Sequence, residues 1–391
     1  MRVLDLNDAA LTVADGERQL HSSPGFACHD GRRLLVGEAA RQQFRAQPRR
    51  VLSRYWYQLD QAPLPAPFGD ARSHADLAWA QLAALREHGA DGPLLLAVPG
   101  SFDSAQLSLL LALTRAAKLD AVGLVDAAVA AASTVETAEQ VLHVDVQLHR
   151  WWLTRLSRNE AGELARGGGE DLAKPGWLGV WDACAGVIAT AFVQQTRYDP
   201  LHSAATEQAL YDRLPGWLAQ FGQGAAVTLE LPAGLRSHRA SFAADALDAA
   251  LAPIVSRLAA GVAAAIREPR STTVLLSAAA AGLPGLAGAI QTATGIRPQM
   301  LDALAVTRGT LAHAARIRHD GEALPFVTRL PARGITAGEA EPMAAALSPT
   351  HLLIGDVALP LDATDAARLA LGAVVDHPQG RGRAIHVRER G

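Results

Sequence analysis

VLLSAAAAGLPGLAGAIQTATG, residues 274–295, reads as a buried strand, a tight turn and a helix in direct succession. Thr273–Ser277 supplies a short apolar run of strand length, and Gly282 and Pro284 punctuate the segment after it. Pro284 suits the opening of a helix, because the N–H it lacks has no partner in the first helical turn. Strand followed by helix is the grammar of an α/β sheet protein.

The same grammar recurs in both directions along the chain. Upstream, Leu94–Val98 is a continuous apolar run ended by Pro99-Gly100, and Val122–Val125 is a second. Between them Asp103 and Gln106 have capping-box spacing, and Leu107, Leu110, Leu111 and Ala117 come next at helical intervals. Val3–Leu6 and Leu11–Val13 begin the chain as strands, while Val141–Val146 and Trp151–Leu156 flank a turn at Gln147–Arg150. Val227–Leu231 reads as a further strand. Leu247, Leu251, Ile254, Leu258, Val262 and Ile266 then share one helical face, with Pro253 predicted to kink or restart that helix. The pattern predicts two lobes, residues 1–138 with an inserted subdomain at about 41–90, and residues 139–318. After 319, the short runs Phe326-Val327, Leu352–Ile354 and Ile385–Val387 predict a small β-rich appendage.

Composition narrows the classes. The 391 residues are 49% hydrophobic and 19% charged, with a formal net charge of −3. That is a globular chain with core enough for two domains, and no Lys/Arg-rich run suggests a nucleic-acid partner. The N-terminal MRVLDLNDAA lacks the apolar core of a secretion signal. The most apolar run, Leu275–Ile290, is interrupted by Gly282, Pro284 and Gly285, so no membrane partner is expected and a soluble, cytoplasmic protein is. Cys28 and Cys184 fit two buried thiols, with a disulfide or metal role left open.

The order of the short motifs resembles the actin-like ATPase superfamily, most closely the nucleotide-binding domain of the seventy-kilodalton heat-shock chaperones, over about residues 1–316. Val98–Gln106 is similar to that family's VPAYFNDAQ, and Leu124–Ala131 to its INEPTAAA segment. Gly168–Leu172 resembles its GGEDFD, and Arg308–Ala312 the helix after its adenosine loop. The resemblance implies a duplicated mixed sheet flanked by helices, with ATP and Mg²⁺ bound in a cleft by three loops. Two phosphate turns, DLGTT and DLGGGT, present backbone N–H groups through glycines, and their aspartates act around Mg²⁺.

Each loop is altered in this chain. The first is Asp5-Leu6-Asn7-Asp8-Ala9, where Asn7 replaces the glycine and Asp8 the hydroxyl residue. A carboxylate there repels a triphosphate by about 1 to 4 kcal/mol at ~4 Å, depending on the effective dielectric. The second is Asp145-Val146-Gln147-Leu148-His149-Arg150, with no glycine left. Arg150 remains able to pair with a phosphate. The third has Ala278 and Ala279 in place of the glycine pair, and Gly282 in place of the base-stacking arginine.

The resemblance also implies site assignments. If nucleotide binds, Asp5, Asn7, Asp145 and Arg150 hold it, and Asp5 and Asp145 serve Mg²⁺. The alternative for both aspartates is capping of strand-end turns. Asp126 stands where the family has its water-positioning acid, or it is a helix N-cap. Arg49, Arg50 and Arg54 are the nearest substitutes for the family's γ-phosphate lysine. His143 and His149 lack further ligands at metal spacing, and Gly167–Gly169 is expected to be a flexible connection. Trp151 and Trp152 must face opposite sides of their strand.

The expected function is therefore a heat-shock-chaperone-like, noncatalytic binding or regulatory module with a protein partner. The alternative is an active Mg-ATP-dependent ATPase with a rebuilt site. No chaperone-type peptide-binding domain is recognisable, so ATP-driven refolding is not expected.

Overall fold

A computed structural model describes residues 1–221, 227–233, 236–319, 321, 324–333, 351–354, 357–360, 374–377 and 380–385. Met1–Arg333 form one compact unit and Gly334–Gly391 a second. The chain is mixed α/β.

In the first unit one strand order occurs twice. One sheet runs Phe326–Val327, Asp120–Asp126, Pro93–Val98, Arg2–Asp5, Leu11–Ala14, Gln19–Ser23. The other runs Gln299–Met300, Thr272–Leu276, Gln140–Val146, Trp151–Arg158, Glu163–Ala173, Arg329–Pro331. Each contains an antiparallel meander of three strands, whose first member then pairs in parallel with a fourth and, through it, a fifth. Meander strands need only turns, whereas each parallel step needs a crossover. Helices His74–Glu87 and Ser104–Ala116 make the crossovers of the first sheet. Trp177–Thr196, Ala204–Phe221, Ala244–Ala265 and Leu286–Thr294 make those of the second.

The two-residue period of a strand divides the apolar side chains between faces. Leu4, Leu96 and Leu124 lie in register and pack outward under the two helices of the first sheet. Val3 and Leu95, one residue earlier, face inward and share a core with Val141, Leu156 and Leu275 of the second sheet. Two short helices, Ala127–Ala132 and Ala305–Ala312, complete this inner layer. They touch backbone to backbone, and a Cβ on Gly309 would overlap the Ala130 carbonyl. The outer face of the second sheet is covered by its four helices. Trp177–Thr196 and Ala244–Ala265 are long and apolar enough to cross a membrane by length and composition, and they place Val180, Ile188, Leu251 and Leu258 in this core.

Local predictions meet the structure in detail. Gln106 N–H donates to Asp103 Oδ1 at 2.8 Å and the reciprocal bond closes the capping box. Trp151 is buried in the second core while Trp152, on the other face, is only half-buried. Pro253 lies inside a helix that continues through it. Cys28 and Cys184 are free, buried thiols, and burial pushes Cys184 up to about 12.

Two expectations change. Gly167–Gly169 is part of strand Glu163–Ala173, not a flexible connection; Gly167 is the extra residue of a bulge, and Gly169 admits the Trp152 indole against the backbone. Residues 324–333, read as the start of the appendage, add an edge strand to each sheet of the first unit. Edges carry unpaired N–H and C=O groups, and these short β-type runs satisfy them. In the second unit the described strands form an antiparallel sheet ordered Val357–Pro360, His351–Ile354, Gly380–Ile385, Val374–His377. His386 and Val387 lie outside the described residues. Of two small sheets, one of Ala27–His29, Leu34–Val36 and Val51–Leu52 begins ahead of the insert expected at about 41–90, and one of Pro63–Phe68 and Ala71–Ser73 lies within it, while helix His74–Glu87 belongs to the crossover of the first sheet.

Candidate functional site in the cleft between the sheets

Asp5 ends the first strand of one sheet and Asp145 stands near the end of its counterpart, Gln140–Val146, both on inward faces. They open onto one cavity of ≈ 240 Å³ that also receives Asn7, His143, Ser277 and the alanine pair Ala278 and Ala279. Three of the four residues named for nucleotide, Asp5, Asn7 and Asp145, therefore meet. Arg150 does not reach the cavity.

The two turns are bonded to each other beside the cavity. Asn7 Nδ2 donates to Asp145 Oδ2 at 2.9 Å and to the Val146 carbonyl at 3.0 Å. Its Oδ1 accepts from Ala9 N–H at 2.9 Å, so the side chain also shapes its own turn. Asp8 Oδ1 accepts from the backbone N–H of Leu148 at 2.8 Å. That amide belongs to the second turn, and an internal carboxylate occupies it. Asp8 is 3% exposed, and burial raises its carboxyl to about 6 despite the Leu148 amide and the nearby Arg150.

The rest of the second turn is packed away. Leu148 is fully buried among Phe26, Cys28, Val51 and Leu178. His149 Nε2 lies 3.0 Å from the Ser53 carbonyl, which makes Nε2 the protonated nitrogen of a neutral ring that burial pushes down to about 4. Arg150 Nε donates to Gln147 Oε1 at 2.6 Å, and the guanidinium lies over the rings of Tyr57 and Trp152. The start of helix Trp177–Thr196 closes the turn from behind, where Trp177 N–H donates to the Gln147 carbonyl and Leu178 N–H to that of Leu148. A Cβ on Gly176 would overlap Gln147, so this approach requires glycine.

In the third loop Ser277 Oγ accepts from Ala280 N–H at 3.1 Å and caps the short helix Ala278–Ala281. The second helix starts at Leu286, two residues beyond Pro284, because Gly285 takes the left-handed conformation with φ 77. Asp126 does not line the cavity. Its Oδ1 caps helix Ala127–Ala132 through Ala128 N–H and Val129 N–H, and its Oδ2 lies 3.5 Å from Arg166 Nε. Burial raises the Asp126 carboxyl, with Arg166 opposing. Arg49, Arg50 and Arg54 also stand away from the cavity; Arg54 borders a separate pocket with Tyr57, His149 and Lys174.

The cavity is acidic in character. Burial, and then the charge of Asp145, raises the Asp5 carboxyl to about 7. No Lys or Arg lines the cavity among the described residues, and Asp302 at its exposed side is bonded to Arg308. These residues do not fit a nucleotide phosphate: the cavity carboxylates lack a lining cation, and an amide of the second turn is engaged by Asp8. Among the described residues no group of three or more His, Cys, Asp or Glu could hold a metal ion.

Two relationships escape a linear reading. Asp8 is visible in the sequence, but its partner Leu148 is remote along the chain. His143 and His149, weighed together as a metal pair, separate: His149 turns to Ser53 and His143 faces the cavity. The available signal was the strand period, which sets His143 and Asp145 on one face. No protein-family model matches this chain, and no curated protein matches it.

Proposed function

We propose that residues 1–333 adopt a two-lobed actin-like fold whose nucleotide cleft is closed to phosphate from within, and that the chain acts as a noncatalytic binding or regulatory module toward a protein partner. The repeated strand order supports the fold. The hydrogen bond from Leu148 N–H to Asp8 Oδ1 carries the functional reading, because it places a fixed carboxylate on a phosphate-turn amide. The Asn7–Asp145 bond adds a second latch between the turns.

Calorimetry and thermal melts in millimolar Mg-ATP test this. A site at a hundredfold excess over its Kd stabilises the fold by about 2.7 kcal/mol, and no such shift is expected. A shift that Asp145→Ala abolishes, accompanied by phosphate release with the same dependence, overturns the reading and establishes an ATPase.

A further inference from the structure

His143 has no role in the closed turns. Its imidazole is 3% exposed and lines the cavity, yet neither ring nitrogen has a hydrogen-bond partner in the protein. A neutral imidazole carries one donor and one acceptor, and buried polar groups are ordinarily paired. Two residues along the same strand face stands Asp145, of which Asn7 engages one oxygen, Oδ2. Asp5 reaches the same space from the facing sheet, and no Lys or Arg among the described residues lines it. The remaining wall mixes short apolar side chains, Ala127, Ala131, Ala278 and Ala279 among them, with the polar Thr12, Gln19, Ser22 and Ser277 and a third carboxylate, Asp302.

We propose that this cavity is a binding site for a small organic cation, an amine or amidinium whose charged head lies between Asp5 and Asp145, bonds to His143, and lays a short apolar body on the alanines. The inference deepens the binding-module reading and rests on it. A volume of ≈ 240 Å³ holds a molecule of roughly eight water-sized units at about 30 Å³ each. The lack of a three-ligand metal group among the described residues favours an organic head over a metal ion. The same charge that repels phosphate attracts this ligand.

Benzamidine, benzamide and benzoate share one shape and differ in charge, which makes them the probes. Calorimetric titration of the full chain is expected to show benzamidine binding at least tenfold tighter than benzamide, with no benzoate binding. The His143 imidazole resonances should shift with benzamidine alone. Asp145→Asn should weaken benzamidine at least tenfold while the circular dichroism spectrum stays native. Equal binding of benzamidine and benzoate, no binding of benzamidine, or binding indifferent to Asp145→Asn each overturns the proposal. If that variant does not fold, the three probes and the His143 resonances decide on the unaltered chain. Mg-ATP titrated alongside separates the two readings: ATP binding sinks the noncatalytic reading, while silence from both ATP and benzamidine sinks only this inference.

Discussion

Replacing Asp8 by Asn keeps the acceptor that Leu148 N–H requires and removes the charge. In the folded chain burial is the largest influence on this carboxyl, outweighing the Leu148 amide and Arg150, while Asp145 adds a smaller upward push. Its value rises from 3.8 to about 6. The folded state therefore keeps a proton that the unfolded state has released, and stability falls as pH rises. The contribution is fully present below about pH 4 and is lost as pH passes through about 6. From 3.8 to about 6 is roughly 2.2, and at 1.36 kcal/mol for each unit of pH this amounts to about 3 kcal/mol. Histidines pull the other way, since burial lowers His149 to about 4 and also depresses His143, but they are common to both proteins. The difference between the proteins isolates Asp8. Urea unfolding of the unaltered chain and of Asp8→Asn, followed by circular dichroism from about pH 4 to 8, should show the variant gaining about 3 kcal/mol relative to the parent, mostly between pH 4 and 6. A difference constant to within about 0.5 kcal/mol, or a parent that gains on the variant as pH rises, would falsify the claim that burial dominates at Asp8.

Gly309→Ala forces a methyl into the Ala130 carbonyl, and overpacking between two short helices should cost about 1–3 kcal/mol, read as a lower urea midpoint. Unchanged stability would mean that these helices do not touch as described. Leu148→Ala empties a fully buried site among Phe26, Val51 and Leu178, with an expected loss of about 2–5 kcal/mol in the same assay. A loss under about 1 kcal/mol would place Leu148 outside the core.

The strands and the caps were legible because their signals are local. Leu94–Val98 and Val141–Val146 are apolar over strand length, and the Asp103–Gln106 box is closed by residues three apart. The choice between cap and catalytic acid at Asp126 was open in sequence; in the structure its Oδ1 is bonded to the helix it precedes. Gly167–Gly169 misleads because glycine is ordinarily a loop signal, whereas here Gly169 makes room for Trp152 across the sheet. The edge strands of residues 326–331 escape a linear reading for a related reason. Runs of two and three residues carry no period of their own, and they become strands only beside an existing edge.

Residues 274–295 determined by themselves that a buried strand leads through a glycine and proline turn into a helix, since torsional preference and apolar pattern are properties of neighbouring residues. Alone, the alanines of that loop do not say what the loop faces. The rest was decided in three dimensions. The pairing of Asn7 with Asp145 and of Asp8 with Leu148 joins the first unit's two sheets across a long stretch of chain, and no local propensity encodes such a contact. Burial then set the carboxylates' affinities for protons, because desolvation depends on everything packed around them and not on the residues beside them in sequence.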